Sequence, residues 1–350
     1  MISITLAQAQ RAMSSYGLST FYILGTIGNF LLICILIQRT HRQNSCALYL
    51  LSTSIVNFIL IQCILPASIY SADHVDPQNI SLVWCKIRSY LFNSLLMLYR
   101  WYKMAACVDR AAMCNRHAWI RSFSSARVAC RTILIITILW LLIPIHLAAY
   151  FRIESNRCIP QSGIYAKFFS VYSIVISGWS PPTVMGIFGY IAYKNLKKVR
   201  PRVNPLTVPT GIINDYLNNN IVSRTADFHY ISKRNRQLLV LLICEIILYM
   251  CTNLLYSVNI TYSAITSDVS KSSDRIYIES FIAYFSSPFL IIINNCAPFY
   301  LYLIISSKFR HDVKKLFTYC CYSHKITPTQ NNQLPTINKR ETIINHNNDL

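Results

Sequence analysis

Seven apolar blocks alternate with polar segments along the chain, at approximately 18–38, 46–70, 87–113, 132–151, 168–193, 238–263 and 277–305. Each is long enough for the roughly 20 residues of helix that cross a bilayer. The pattern predicts an all-α membrane protein, a seven-helix bundle. The third block is interrupted by Arg88, Arg100 and Lys103, so hydropathy alone leaves six spans and seven as alternatives.

The polar segments decide for seven. With seven spans, 22 basic residues fall on one side, between spans 1 and 2, 3 and 4, 5 and 6, and after span 7, against 8 on the other. Basic loops stay in the cytoplasm, which predicts an extracellular N-terminus and a cytoplasmic C-terminus. The sequons at Asn79 and Asn259 fall on or near the outer side and are candidate glycosylation sites. Asn259 lies close to the end of span 6. The expected organisation is an extracellular tail over 1–15, a membrane domain over 16–321 and a disordered cytoplasmic tail over 322–350. The inner segment 194–237, with Pro201, Pro205 and Pro209, reads as a flexible connector.

Composition agrees with a membrane chain. Hydrophobic residues make up 53% and charged residues 13%, the latter about half of what a soluble protein carries. The net charge of +20 is spread between apolar blocks, which argues against a nucleic-acid surface. Most of the 13 cysteines lie inside apolar blocks, where cysteine acts as a small hydrophobe and not as part of a disulfide scaffold. The first residues lack a basic segment followed by an apolar core, so no cleavable signal peptide is expected. No catalytic signature or carboxylate pair placed for acid–base work occurs, so neither enzyme activity nor a cofactor is expected.

Arg100, Lys103, Cys107 and Arg110 are spaced 3, 4 and 3 apart and share one helix face. Cations in the hydrocarbon layer cost about 2.5–3.5 kcal/mol each and need a partner inside the bundle. Glu245 is the only acidic residue in the middle of another block. A buried charge network of Arg100, Lys103 and Glu245 is expected, with either cation as partner of the carboxylate. A protonated Glu245 bonded elsewhere is the alternative. In a different class of function, the same charges would line the pathway of a transporter or channel.

Several residues stand at telling places. Span 1 carries Gly28-Asn29. Span 3 begins at Cys85 and ends Asp109-Arg110-Ala111, with 25 residues from Cys85 to Arg110. Span 4 has Trp140 and Pro144, and span 5 has Pro181-Pro182 and then Tyr190. Span 7 ends Pro298-Phe299-Tyr300-Leu301-Tyr302, below Asn294 and Asn295, and a basic amphipathic run leads to Cys320-Cys321. Together, over 16–321, these resemble the rhodopsin-like (class A) family of G-protein-coupled receptors. The match is to a divergent branch similar to neuropeptide-type receptors. The family triplet DRY is DRA here, Asn57 stands in place of the span 2 aspartate, NPxxY is reduced to PFYLY, and span 6 has no CWxP. These departures argue against a sodium pocket and require a different pivot in span 6.

The resemblance implies a disulfide between Cys85 and Cys158, with two free thiols as the alternative. It implies a cytoplasmic switch of Asp109, Arg110, Tyr190 and Tyr302, in which Arg110 reaches span 6 when inactive or a G-protein tail when the bundle opens. It implies a bundle core containing Asn29, Asn57, Trp140, Pro182, Asn294 and Pro298. Phe92 stands where amine receptors carry an aspartate, and Ile292 where opsins carry the retinal lysine, so neither ligand type is expected. Arg88, Phe92, Tyr99, Tyr256 and Glu279 are the ligand-facing candidates, and cations with tyrosines suit a peptide. A chemosensory ligand is the next reading. Phe309, Val313, Leu316 and Phe317 form the apolar side of an interfacial helix, with Cys320 and Cys321 as palmitoylation candidates. The expected partners are an extracellular ligand, a heterotrimeric G protein and the lipid bilayer of the plasma membrane.

Overall fold

The structure, a computed structural model, describes residues 2–115, 117–154, 156–198, 215–266 and 269–323. It is a helical membrane protein. Among the described residues, six helices are long and apolar enough to cross a bilayer: α1 (Thr5–Leu36), α2 (Ser45–Tyr70), α4 (Ala126–Tyr150), α5 (Ile164–Asn195), α6, whose apolar part is Val240–Ile265, and α7 (Ser273–Cys296). Between α2 and α4 runs α3 (Leu82–Met113), 32 residues long, whose cations make it less apolar than the six. Strands β1 (Phe151–Glu154) and β2 (Arg157–Pro160) form an antiparallel hairpin after α4. A further turn of helix, Pro298–Ile305, extends α7, and α8 (Ser307–Ser323) follows.

Local chemistry sets the helix ends. Asn44, Ser81, Ser125 and Ser272 cap α2, α3, α4 and α7, each side chain accepting from a backbone N–H in the first turn. Two of the three wide π-turns among the described residues sit at prolines. One, Ser173–Trp179, immediately precedes Pro181-Pro182, and another, Phe285–Phe289, contains Pro288. Proline brings no N–H to the ladder, so the winding around it loosens. Pro144 interrupts α4 in the same way.

Helix α3 is the axis of the core. Its buried residues run from Cys85 to Ala111, including Arg88, Arg100, Lys103, Asp109 and Arg110. Around it pack Tyr49, Leu60, Trp140, Met185, Tyr249 and Ile291 from the other helices. The outer helices leave large apolar side chains exposed, such as Phe30, Ile59, Leu134, Leu142, Ile187 and Leu254, as expected where lipid is the solvent. Gly25 and Gly28 let α1 close on its neighbours. A Cβ on Gly25 would stand 2.5 Å from Cys296 Sγ and 2.7 Å from Ile61 Cδ1.

Two boundaries differ from the sequence reading. Residues 2–12 are helical and run on through a π-turn into α1, where a tail was expected over 1–15. Helix α6 begins at Asp215, within the segment read as a connector. Its extension contains neither Pro nor Gly, all three prolines of that segment lying before it. The tail after Ser323 and the side chains of Cys320 and Cys321 lie outside the described residues.

Candidate functional site

At one end of the bundle, Cys85 and Cys158 are disulfide-bonded with their Cα atoms 5.7 Å apart. The bond holds β2 against the first turn of α3. Asn79 holds the same strand from another side, its Oδ1 accepting from the Cys158 N–H at 3.0 Å. The side chain read as a sugar acceptor is thus engaged in fastening the hairpin. Asn259 lies inside α6, within the apolar stretch that ends at Ile265, a position for a side chain in lipid or protein and not in an outer loop.

A cleft of about 490 Å³ opens between α1, α2, α3 and α7, lined by Arg11, Ser14, Ser68, Asp76, Arg88 and Tyr284 among others. Arg88 Nη1 donates to both oxygens of Asp76 at 2.9 Å, and its Nη2 donates to Ser68 Oγ at 2.9 Å. Of the ligand-facing candidates, only Arg88 lines this cleft. Phe92 packs against the core, and Tyr99 is buried with its hydroxyl toward the Asn294 carbonyl. Tyr256 lies under Arg100. Glu279 belongs to a rim network, accepting from Lys271, Arg275 and Tyr262.

Deeper in, the chain solves a problem created by Pro181-Pro182. The Ser177 carbonyl would accept from residue 181 in α winding or 182 in π winding, and neither has an N–H. Arg100, completely buried, supplies the missing donor: its Nη1 donates to Ser177 O at 2.5 Å. Its Nη2 donates to Asn253 Oδ1 at 3.3 Å, which carries the link to α6. The Gly178 carbonyl, whose α-helical donor would be residue 182, accepts from Ser257 Oγ at 2.8 Å. Arg100 therefore joins α3, α5 and α6 through neutral acceptors, and the carboxylate goes to the other cation. Lys103 Nζ lies 3.1 Å from Glu245 Oε2, with both side chains almost fully buried. The contact is off the line of a well-directed hydrogen bond, and neither Glu245 oxygen has a partner of good geometry. Tyr99 lies over the ammonium, with Lys103 Nζ 4.7 Å from its ring centre.

Beside this level lies a set of amides. Asn29 Nδ2 donates to the carbonyls of Gly25 and Asn295, and Asn294 Nδ2 donates to Thr252 Oγ1. Asn29 Oδ1, Asn294 Oδ1 and all the amide atoms of Asn57 and Asn295 are buried without a protein partner. Such groups need water or an ion to satisfy them.

At the opposite end of α3, Arg110 folds back on its neighbour. Its Nη2 lies 2.5 Å and its Nε 3.0 Å from Asp109 Oδ2. Ser45 donates to the same oxygen at 2.9 Å and Ser124 to Oδ1 at 2.8 Å. Arg110 was expected to reach span 6 in the inactive state; its described partners are instead Asp109, the Asn44–Ser45 turn that starts α2, and Ser124. Tyr302 is buried, its ring 5.6 Å from that of Phe309 on α8. Tyr190 is 64% exposed on the outside of α5, so these two phenols are not brought together here. Trp140 packs against Trp101 with ring centres 5.4 Å apart, Pro182 is buried in α5, and Pro298 opens the last turns of α7.

The signal for Arg100's role was present in the sequence as Pro181-Pro182, a pair that must strand carbonyls in any helix containing it. Neither a protein-family model nor a curated protein matches the chain.

Proposed function

We propose that this chain is a seven-span receptor of the rhodopsin-like type in the plasma membrane. Its N-terminus is outside, and it takes an extracellular ligand, a neuropeptide in the leading reading, and activates a heterotrimeric G protein. The observation that supports this reading most is the build of α3. One uninterrupted helix carries a disulfide to the outer hairpin at Cys85 and a buried Asp109–Arg110 pair at its other end. Its 32 residues measure about 48 Å, more than the roughly 30 Å of a hydrocarbon core. Hydropathy undercounts it because a sliding window cannot tell a cation facing lipid from one facing protein. Counting α3 as a span places the basic inner loops and α8 on one side of the membrane.

On this reading the ligand enters the cleft beside Arg88 and favours a packing in which Arg110 leaves Asp109 and faces the G protein. The mechanism is a population shift between two arrangements of α3, α6 and α7. The test is nucleotide exchange on a panel of purified G proteins, with membranes carrying the wild type or Arg110→Ala. Exchange above empty membranes that the substitution alters is the expected result. Ligand-independent current or solute uptake in expressing cells, with no exchange on any G protein, would overturn the receptor reading in favour of transport.

A further inference from the structure

The buried charge around α3 does not balance. Arg100 and Lys103 are cations at the middle of the bundle, and Glu245, the single mid-span carboxylate of the chain, is taken by Lys103. Arg100 is completely buried and its described partners are a carbonyl, an amide oxygen and the face of the Tyr256 ring. None of these carries a charge. If Ser177 and Asn253 needed only a donor, a neutral amide would serve without burying a cation at a cost of several kcal/mol.

Two donors are also left over. Arg100 Nε has no hydrogen-bond partner, and neither has the hydroxyl of Tyr249, a side chain almost fully buried on α6, one turn before the Asn253 that Arg100 Nη2 reaches. An unpartnered guanidinium N–H, an unpartnered phenol O–H and one uncompensated positive charge are what an anion requires, and they offer a cation nothing.

We propose that Arg100 and Tyr249 form a binding site for a small monovalent anion between α3, α5 and α6, filled by a free halide or by the carboxylate of a larger ligand. The anion neutralises Arg100 and accepts from Arg100 Nε and Tyr249 Oη. Because it sits where Arg100 holds α5 and α6 together, its binding stiffens the junction of all three helices.

The test uses the full chain purified in nanodiscs and reads its melting temperature, which depends on no signalling activity. Sodium chloride, sodium formate and sodium methanesulfonate are compared at equal ionic strength. A saturable rise with chloride over methanesulfonate assigns the site to a free halide. A rise with formate and none with chloride assigns it to a carboxylate. Loss of one hydrogen bond to a charged partner in Tyr249→Phe is expected to raise the half-saturating concentration about tenfold. Arg100→Gln is expected to abolish the rise, and Arg152→Gln on the exposed face of the hairpin to leave it unchanged. If Arg100→Gln does not fold, Tyr249→Phe decides alone. Equal melting temperatures in the three salts, or an anion effect undiminished in the site variants, would overturn the proposal.

Discussion

Arg100 Nη1 lies 2.5 Å from the carbonyl oxygen of Ser177, the oxygen that Pro181 and Pro182 leave without a donor in their own helix. A long charged side chain from α3 thereby completes the backbone of α5. The arrangement makes a double proline tolerable in a membrane, where a stranded carbonyl has no water to turn to.

The same repair at Gly178 can be dissected. Ser257→Ala removes the 2.8 Å bond to the Gly178 carbonyl and is expected to cost about 1–3 kcal/mol, the penalty of an unsatisfied buried acceptor. Pro182→Ala restores a backbone donor to that carbonyl. In its background Ser257→Ala is expected to lower the melting temperature by clearly less, a coupling that thermal unfolding of the four proteins of the cycle would read directly.

The Lys103–Glu245 pair is expected to behave as a buried ion pair. Lys103→Met or Glu245→Leu alone strands the other charge, at a cost of about 3–5 kcal/mol. The double replacement strands neither and is expected to be more stable than either single variant. Melting curves in the same detergent decide it, and a double variant as weak as the sum of the singles would show that the two side chains act separately.

Asn57 is fully buried with both amide atoms free of protein partners, and an amide cannot balance a cation. Sodium and potassium chloride at equal concentration are therefore expected to give the same melting temperature. Asn57→Asp is expected to make the two salts differ, with sodium the more stabilising. A sodium effect already present in the wild type would show that uncharged oxygens suffice.

Gly25 has no room for a methyl group. With Cys296 Sγ and Ile61 Cδ1 within 2.7 Å of the added Cβ, Gly25→Ala is expected to destabilise by about 1–3 kcal/mol through overpacking. Gly186, which has open space around it, is the control position: Gly186→Ala is expected to leave the melting temperature unchanged or slightly raised. Equal losses at both positions would point to a backbone cause in place of a steric one.

The helical membrane architecture was readable because apolar blocks and helix length are set by the same bilayer. Glu245 could be matched to a cation because no other carboxylate stands mid-span. Which cation it meets was not readable, since Arg100 and Lys103 share a helix face and their choice depends on where α5 places its stranded carbonyl. The double proline carried that information, but only a three-dimensional neighbour could say which side chain answers it. The tie between Asn79 and the hairpin was unreadable for a related reason: a sequon reports residue types, and the N–H that Asn79 Oδ1 accepts from lies 79 positions away, on Cys158.

The hairpin β1–β2 is tied at two points, by the Cys85–Cys158 bond and by Asn79, while α6 is fastened to its neighbours near Asn253. About 20 Å of helix separate Asn253 from Val240 at 1.5 Å per residue. A tilt of about ten degrees about Asn253 would carry Val240 roughly 3–4 Å, provided the Lys103–Glu245 contact parted with it. Motion too small to disturb the end tied by the disulfide would be, at the opposite end, wide enough to open or shut a gap the size of a side chain.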